Sequence, residues 1–331
     1  MSSTLFLLGA GFSKDAKKEA GKIEGVDCDY PLVHELYKMC FPDKDTDSSE
    51  SIEELFDAEI KQNNYAPLKK LYDAIMKADY YLANKLLLDN KCNNNCYKKF
   101  FNDFQHSSFL TFNYDSVPEA FLLQLDRWFP RDGYGVPVET ELAFNTPKEY
   151  KERTSTSLVL HLHGSFCIYT HDVEITSGSE GNIDLINIKE KPEFIFDPDS
   201  ITDLFHPYTR VFPKIGSYAP IEMRVIAPVP DKAENLKDSF IKHMYSKSLE
   251  LLDKANMLVV IGYNFSINDK SSYHPLLEHI SKKGSVKGLI ISPSASDIKN
   301  RLKSDYLSIE WHSVNATFKE WVDAGYKGIE N

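Results

Sequence analysis

Five short segments carry residues able to hold a phosphate or move a proton, and each follows a short apolar run. Gly9-Ala10-Gly11-Phe12-Ser13 follows Leu5–Leu8, and Asn113-Tyr114-Asp115 follows Ser107–Phe112. His163-Gly164-Ser165 follows Ser157–Leu162. Gly262-Tyr263-Asn264 follows Met257–Ile261, with Asp269 close behind, and Ser292-Pro293 follows Gly288–Ile291. A glycine pair after a strand lets backbone N–H groups approach a pyrophosphate at a helix N-terminus. A neutral imidazole is a general base near pH 7. An asparagine amide, both donor and acceptor, orients a hydroxyl or a water without adding charge.

The apolar runs read as strands, and ligands of an open parallel sheet bind outside the carboxyl ends of its strands. Residues 4–8, the glycine turn and a helix over Lys14–Ala20 make the first strand–turn–helix unit of an α/β sheet. Ser51-Ile52-Glu53-Glu54 is a capping box. Behind it Ile52, Leu55, Phe56 and Ile60, then Leu68, Leu71, Tyr72, Ile75 and Leu82, repeat with helical period. Residues 30–105 therefore read as a helical insertion, its acidic stretch Asp43–Glu59 a solvated face. Residues 166–234, rich in Pro, Gly, Asp and aromatics, read as a loop-rich insertion with short strands such as Phe194-Ile195-Phe196. Lys237–Lys254 reads as a helix, Leu307–Trp311 as a last strand and Ala316–Val322 as a last helix.

With 331 residues the chain is long enough to bury a core without disulfide staples. It carries 38 Lys plus Arg against 49 Asp plus Glu, a net charge of -11, which repels phosphate backbones and argues against direct nucleic-acid binding. Five cysteines, an odd number in so long a chain, point to reduced thiols in a cytosol. The N-terminal apolar run is four residues long, short of a secretory h-region of at least about seven and of a membrane span of about 20. No membrane association and a cytoplasmic location are expected.

The Gly9-x-Gly11 turn does not complete a dinucleotide fingerprint. Lys14 stands at the third glycine, and Asp27 and Asp29 have the spacing of the ribose-binding acid but follow no strand. Hydride-transfer chemistry of the dehydrogenase kind is disfavoured, and a plain tight turn needing two glycines remains open.

Taken in order, Gly9-Ala10-Gly11-Phe12-Ser13, Thr111-Phe112-Asn113-Tyr114-Asp115, Leu162-His163-Gly164-Ser165 and Ile261-Gly262-Tyr263-Asn264-Phe265 with Asp269 resemble the sirtuin family. The resemblance is specifically to its sirtuin-like NAD⁺-hydrolase branch in bacterial anti-phage defence. It covers about residues 1–20, 106–125, 156–166 and 235–322. It implies a single α/β domain over 1–331, a Rossmann-like parallel sheet flanked by helices, with the two insertions added. It also implies hydrolysis of NAD⁺ to ADP-ribose and nicotinamide in an abortive-infection setting. By the same resemblance Asn113 and His163 are catalytic. Gly9, Ala10, Gly11, Phe12 and Ser13 cradle the diphosphate, with Phe12 covering the sugar. Asp115 holds nicotinamide or positions the site, Gly262 and Tyr263 line the ribose and phosphate end near Asp269, and Ser292 lies by the adenosine ribose.

Deacylating sirtuins carry a four-cysteine zinc ribbon. Here Cys167 stands alone after His163, and Cys92 and Cys96 have the wrong spacing and place, so no zinc is expected. A destructive hydrolase must be restrained, and the implied partners are a second copy of the chain and a separate sensor or regulator, either a HerA-like ATPase or an Argonaute-like protein. The rival functions are a sirtuin-type deacylase or ADP-ribosyltransferase, and a non-catalytic NAD or ADP-ribose sensor. Without the resemblance, Asn113 is as well read as a helix cap near Ser116 and His163 as a satisfied core histidine. His161, on the same strand face as His163, reads as a hydrogen-bonded core residue in preference to a metal ligand. The aromatics Phe205, Tyr208, Phe212 and Tyr218 read as core packing, with a lid or an oligomer surface as the alternatives.

Overall fold

The computed structural model describes residues 4–16, 30–44, 51–88, 96–136, 153–177, 183–196, 211–212, 217–218, 222–230, 232, 237–284 and 286–329. Six strands form one parallel sheet: β1 (Thr4–Leu8), β2 (Ser108–Thr111), β3 (Val159–His161), β4 (Met257–Ile261), β5 (Lys287–Ser292) and β6 (Glu310–Asn315). Their spatial order is β6-β5-β4-β1-β2-β3. This is the doubly wound Rossmann order, and it reverses direction between β1 and β4. Leu5, Phe6, Leu7 and Leu8 of β1 and Leu258, Val259, Val260 and Ile261 of β4 are all buried. A central parallel strand is covered on both faces and so carries an unbroken apolar run.

The helices are α1 (Ala10–Ser13), α2 (Val33–Cys40), α3 (Ile52–Lys61), α4 (Ala66–Leu88), α5 (Cys96–Asp103), α6 (Val117–Gln124), α7 (Ser239–Lys254), α8 (Lys270–Lys283), α9 (Ala295–Asp305) and α10 (Phe318–Asp323). Helix α3 starts where its capping box places it. The Ser51 hydroxyl accepts from Glu54 N–H at 3.2 Å, and Glu54 accepts from Ser51 N–H at 2.7 Å. Two cores result. The larger surrounds the sheet, and the smaller lies among α2, α3 and α4 around Phe41, Leu55, Phe56 and Leu71, with Tyr114 packed against it.

A first helical turn, Ala10–Ser13, follows β1 directly; of the helix expected over Lys14–Ala20, residues 17–20 lie outside the described residues. Two local expectations give way. The last strand is displaced to Glu310–Asn315, with Leu307 exposed in the turn before it. At this edge of the sheet only Trp311 of the strand is buried, so an apolar run is not its signature. Within 166–234 the structure has a long antiparallel hairpin, Gly164–Ser177 against Ile183–Phe196, with Glu222–Val225 beside it. Register shifts between His171 and Val173 and between Glu174 and Ile175 interrupt the pairing, and such bulges erase the period of two that marks a strand in sequence. Asp27, Asp29, Cys92, Phe205 and Tyr208 and the side chains of Cys167, Phe212 and Tyr218 lie outside the described residues.

Candidate functional site

The carboxyl ends of β1 and β4 cross at the reversal point. Gly9 N–H donates to Ile261 C=O at 2.9 Å, Gly11 N–H to Gly262 C=O at 3.0 Å, and Gly262 N–H to Ile291 C=O at 2.9 Å. A Cβ on Gly9 would lie 2.6 Å from Tyr263 Cα. A Cβ on Gly262, whose φ is +66°, would lie 2.3 Å from Phe12 N. Backbone crossing thus demands glycine here.

Above this crossing opens a cleft of about 700 Å³. Ala10, Gly11 and Ser13 line it from the first turn, and Asn113, Asp115 and His163 from the ends of β2 and β3. Gly262, Tyr263, Asp269 and Ser292 line it from the β4 and β5 side. Gly9 and Phe12 do not. Phe12 is fully buried, its ring 4.7 Å from Phe318 and 5.2 Å from Tyr97. The expectation that Phe12 covers a sugar is therefore corrected: its side chain belongs to the aromatic core. The cradle is corrected in part too, because the N–H groups of Gly9, Gly11 and Phe12 already donate to backbone carbonyls. What these glycines offer a ligand is close approach.

Asn113, Ser13 and Asp115 form a directed chain. Asn113 Nδ2 donates to Ser13 Oγ at 3.1 Å, and the Ser13 hydroxyl donates to Asp115 Oδ1 at 2.8 Å. The single Ser13 proton is engaged by the carboxylate, so the Asn113 amide must present its NH₂ to Ser13 and leave Oδ1 as its acceptor end. Asn113 N–H donates to Thr111 Oγ1 at 3.0 Å, and the Thr111 hydroxyl to Leu8 C=O at 3.2 Å. The helix-cap alternative for Asn113 does not hold. Ser116 occupies the cap position of α6 without a side-chain cap bond, and Asp115 Oδ1 accepts from Val117 N–H at 3.2 Å.

Burial pushes the Asp115 carboxyl up to about 6, against the pull of its bonds from Ser13 and Val117. Asp79 of α4 lies behind it, accepting from Tyr30 OH at 2.6 Å and Ser116 N–H at 3.0 Å. Burial, then the Asp115 charge, raises its pKa as well.

His163 is 4% exposed. Its ring lies 4.8 Å from that of Phe112, which stacks at 4.9 Å on Tyr263. Nε2 takes the Ser272 hydroxyl at 2.9 Å. Burial lowers the imidazole to about 3, with Lys232 adding to the effect and Asp269 and a bond to the Phe112 backbone opposing it. It is neutral at pH 7, with Ser272 on its Nε2. Opposite it lies a partly buried ion pair, Lys232 Nζ to Asp269 Oδ1, and Tyr263 OH donates to Asp269 Oδ2 at 3.2 Å. Burial works against ionisation of Asp269, but His163 and Lys232 hold its carboxyl below the usual range.

Asp79, Lys232 and Ser272 were not legible as site residues. Asp79 has the pattern of an ordinary helix acid, Lys232 sits in a Pro- and Asp-containing loop, and Ser272 follows no motif. Among the described residues no group of three His, Cys, Asp or Glu side chains could hold a metal ion, and no helix is long and apolar enough to cross a membrane.

No protein-family model and no curated protein matches the chain. Among solved structures, it is similar to a serine-to-alanine mutant of a Sir2 homologue in complex with ADP-ribose. That match has 13% identity and a TM-score of 0.42, over 97% of this chain and 89% of that one. A structure on the basis of sirtuin substrate affinity gives 13% identity and a TM-score of 0.45, over 99% and 94%. A third, on the mechanism and regulation of Sir2 enzymes, gives 12% and 0.38, over 97% and 91%. The α/β assignment of this chain rests on the strand order described above.

Proposed function

We propose that the chain binds NAD⁺ in this cleft and cleaves its nicotinamide–ribose bond, with water as the acceptor. The observation that carries the reading is the directed chain Asn113–Ser13–Asp115 at the switch point of a doubly wound sheet, where such folds bind nucleotides. Nicotinamide leaves with the bonding pair and becomes neutral, so no general acid is needed. The ribose carbon gains oxocarbenium character, and the attacking water must give up a proton.

Asn113 Oδ1 is the acceptor that orients that water or a ribose hydroxyl. Asp115, raised to about 6, is better matched to receive a proton near pH 7 than His163 at about 3, and the Ser13 hydroxyl links it to the site. His163 shapes the ribose pocket as a neutral ring, and it accepts a proton only if Ser272 is displaced from Nε2. On the far side Ser292 lines the cleft, and in this proposal it takes the adenosine end.

The resemblance of the motifs extends the proposal to a defence setting, with a homo-oligomer and a separate HerA-like ATPase or Argonaute-like regulator that releases the activity. Cytoplasmic location belongs to the same reading. A second reading, sirtuin-type deacylation or ADP-ribosyl transfer, is favoured by the apolar wall that Leu36, Tyr37, Ile52 and Ile75 give the cleft, which suits an acyl chain. Incubating the purified chain with NAD⁺, alone and with an acyl-lysine peptide, separates them. Nicotinamide and ADP-ribose released without peptide, and lost in Asn113→Ala, support hydrolysis. Release that requires the peptide overturns it in favour of transfer. Tight binding of ADP-ribose without turnover in any assembly leaves only a sensor.

A further inference from the structure

Directly behind Asn113 lies a buried pair that the proposed chemistry does not use. His161 is fully buried, and Glu119 of α6 is 1% exposed. His161 Nε2 meets Glu119 Oε1 at 2.5 Å, and His161 Nδ1 meets the backbone carbonyl of Asn113 at 3.2 Å. Tyr134 OH donates to the same Glu119 oxygen at 3.3 Å, and its ring stands edge-on to His161 at 5.9 Å.

The hydrogen-bond inventory restricts what this pair can be. A carbonyl oxygen only accepts, so the bond to Asn113 requires a proton on Nδ1. Nε2 then shares one further proton with Glu119, whichever of the two carries it. Glu119 Oε2 has no hydrogen-bond partner among the described residues, so the carboxyl is held through Oε1, and a buried carboxyl held by one oxygen is costly to keep without its partner. Burial alone would lower the His161 pKa, but the charge and hydrogen bond of Glu119, with the Asn113 carbonyl, raise it.

We propose that Glu119 and His161 are positioning residues for Asn113, Glu119 fixing the imidazole so that its Nδ1–H holds the Asn113 peptide plane. This rests on the reading of Asn113 as the residue that orients the reacting water or hydroxyl. Asn113 is gripped at three points: N–H by Thr111, C=O by His161 and side-chain NH₂ by Ser13. Rotation of the 113 peptide swings the side chain with it and turns Oδ1 away from the ribose. Releasing the carbonyl therefore costs turnover more than binding.

The test uses the full chain. His161→Phe keeps the ring volume and removes both nitrogens. It is expected to lower kcat for NAD⁺ about 10- to 100-fold, the scale of a displaced catalytic group, while KM and ADP-ribose affinity change less than about threefold. His161→Gln, which retains a side-chain N–H donor, is expected to recover part of the loss. A folded His161→Phe with kcat within about twofold of the parent overturns the proposal. Where that variant does not fold, histidine ¹⁵N spectra of the parent decide. A proton on His161 Nδ1 is expected, and a bare Nδ1 overturns the dyad. If the parent itself turns over no NAD⁺, the hydrolase reading fails, and the ¹⁵N result still decides the dyad on its own.

Discussion

Ser13→Ala isolates one bond in the directed chain. The substitution removes the donor 2.8 Å from Asp115 Oδ1 and the acceptor 3.1 Å from Asn113 Nδ2. A hydrogen bond to a charged group is worth about 1.5–3 kcal/mol, and about 1.4 kcal/mol corresponds to one pKa unit. The Asp115 carboxyl, already raised by burial to about 6, therefore moves further up in the variant. A carboxyl whose folded pKa exceeds its unfolded value near 3.9 binds its proton more tightly in the folded chain. Its contribution is fully present below that value and is lost as pH rises through the folded pKa.

Ser13→Ala extends that loss upward. At pH 5 the carboxyl is mostly protonated in both proteins, and the variant is expected to be about 1 kcal/mol less stable, the worth of a neutral bond. At pH 8.5 the bond lost is one to an ionised carboxylate, and the deficit grows to about 1.5–3 kcal/mol. Asp79, whose carboxyl burial and the Asp115 charge also raise, is common to both proteins, and the comparison between them removes most of its contribution. Urea denaturation at the two pH values measures the difference. An equal deficit at both would refute the placement of the Ser13 proton on Asp115, and with it the argument for the orientation of the Asn113 amide.

Gly262→Ala is expected to prevent folding or cost more than about 3 kcal/mol, because φ is +66° and the new methyl meets Phe12 N at 2.3 Å; circular dichroism of purified protein reads it. Phe12→Ala is expected to lose about 3–5 kcal/mol of stability with little change in NAD⁺ KM among folded molecules, whereas a ring over the sugar would raise KM first. Lys232→Met removes the cation that helps keep His163 low and leaves Asp269 unpaired. His163 should then titrate at higher pH by NMR, and loss of the pair, buried at Lys232 and partly exposed at Asp269, should lower stability in urea denaturation. A His163 titration that does not move upward would contradict the arrangement of these three groups.

Much of the sheet was legible because its central strands, Leu5–Leu8 and Met257–Ile261, are unbroken apolar runs ended by glycine. Residues at the ends of such strands fall together by topology alone, which is why Asn113 and His163, far apart in sequence, line one cleft. Side-chain direction was not legible. Phe12 sits inside a motif-bearing turn, yet its ring goes to the core because α1 starts at once after β1 and turns that face inward. Asp79 and Glu119 look like ordinary helix acids until the fold buries them against Asp115 and His161. The hairpin over 164–196 was hidden by register shifts that break the alternation its strands would otherwise show.

The interlock of Gly9 and Gly11 with Gly262 leaves no slack between the two halves of the molecule. Carbonyls and N–H groups from the β1 and β4 ends are bonded across the join at 2.9 and 3.0 Å, and there is no room for a methyl group at it. A clamshell motion of one half against the other would have to tear that seam. Above that floor the walls of the cleft are side chains, from α2, from α3 and from Lys232, and not crossed backbones.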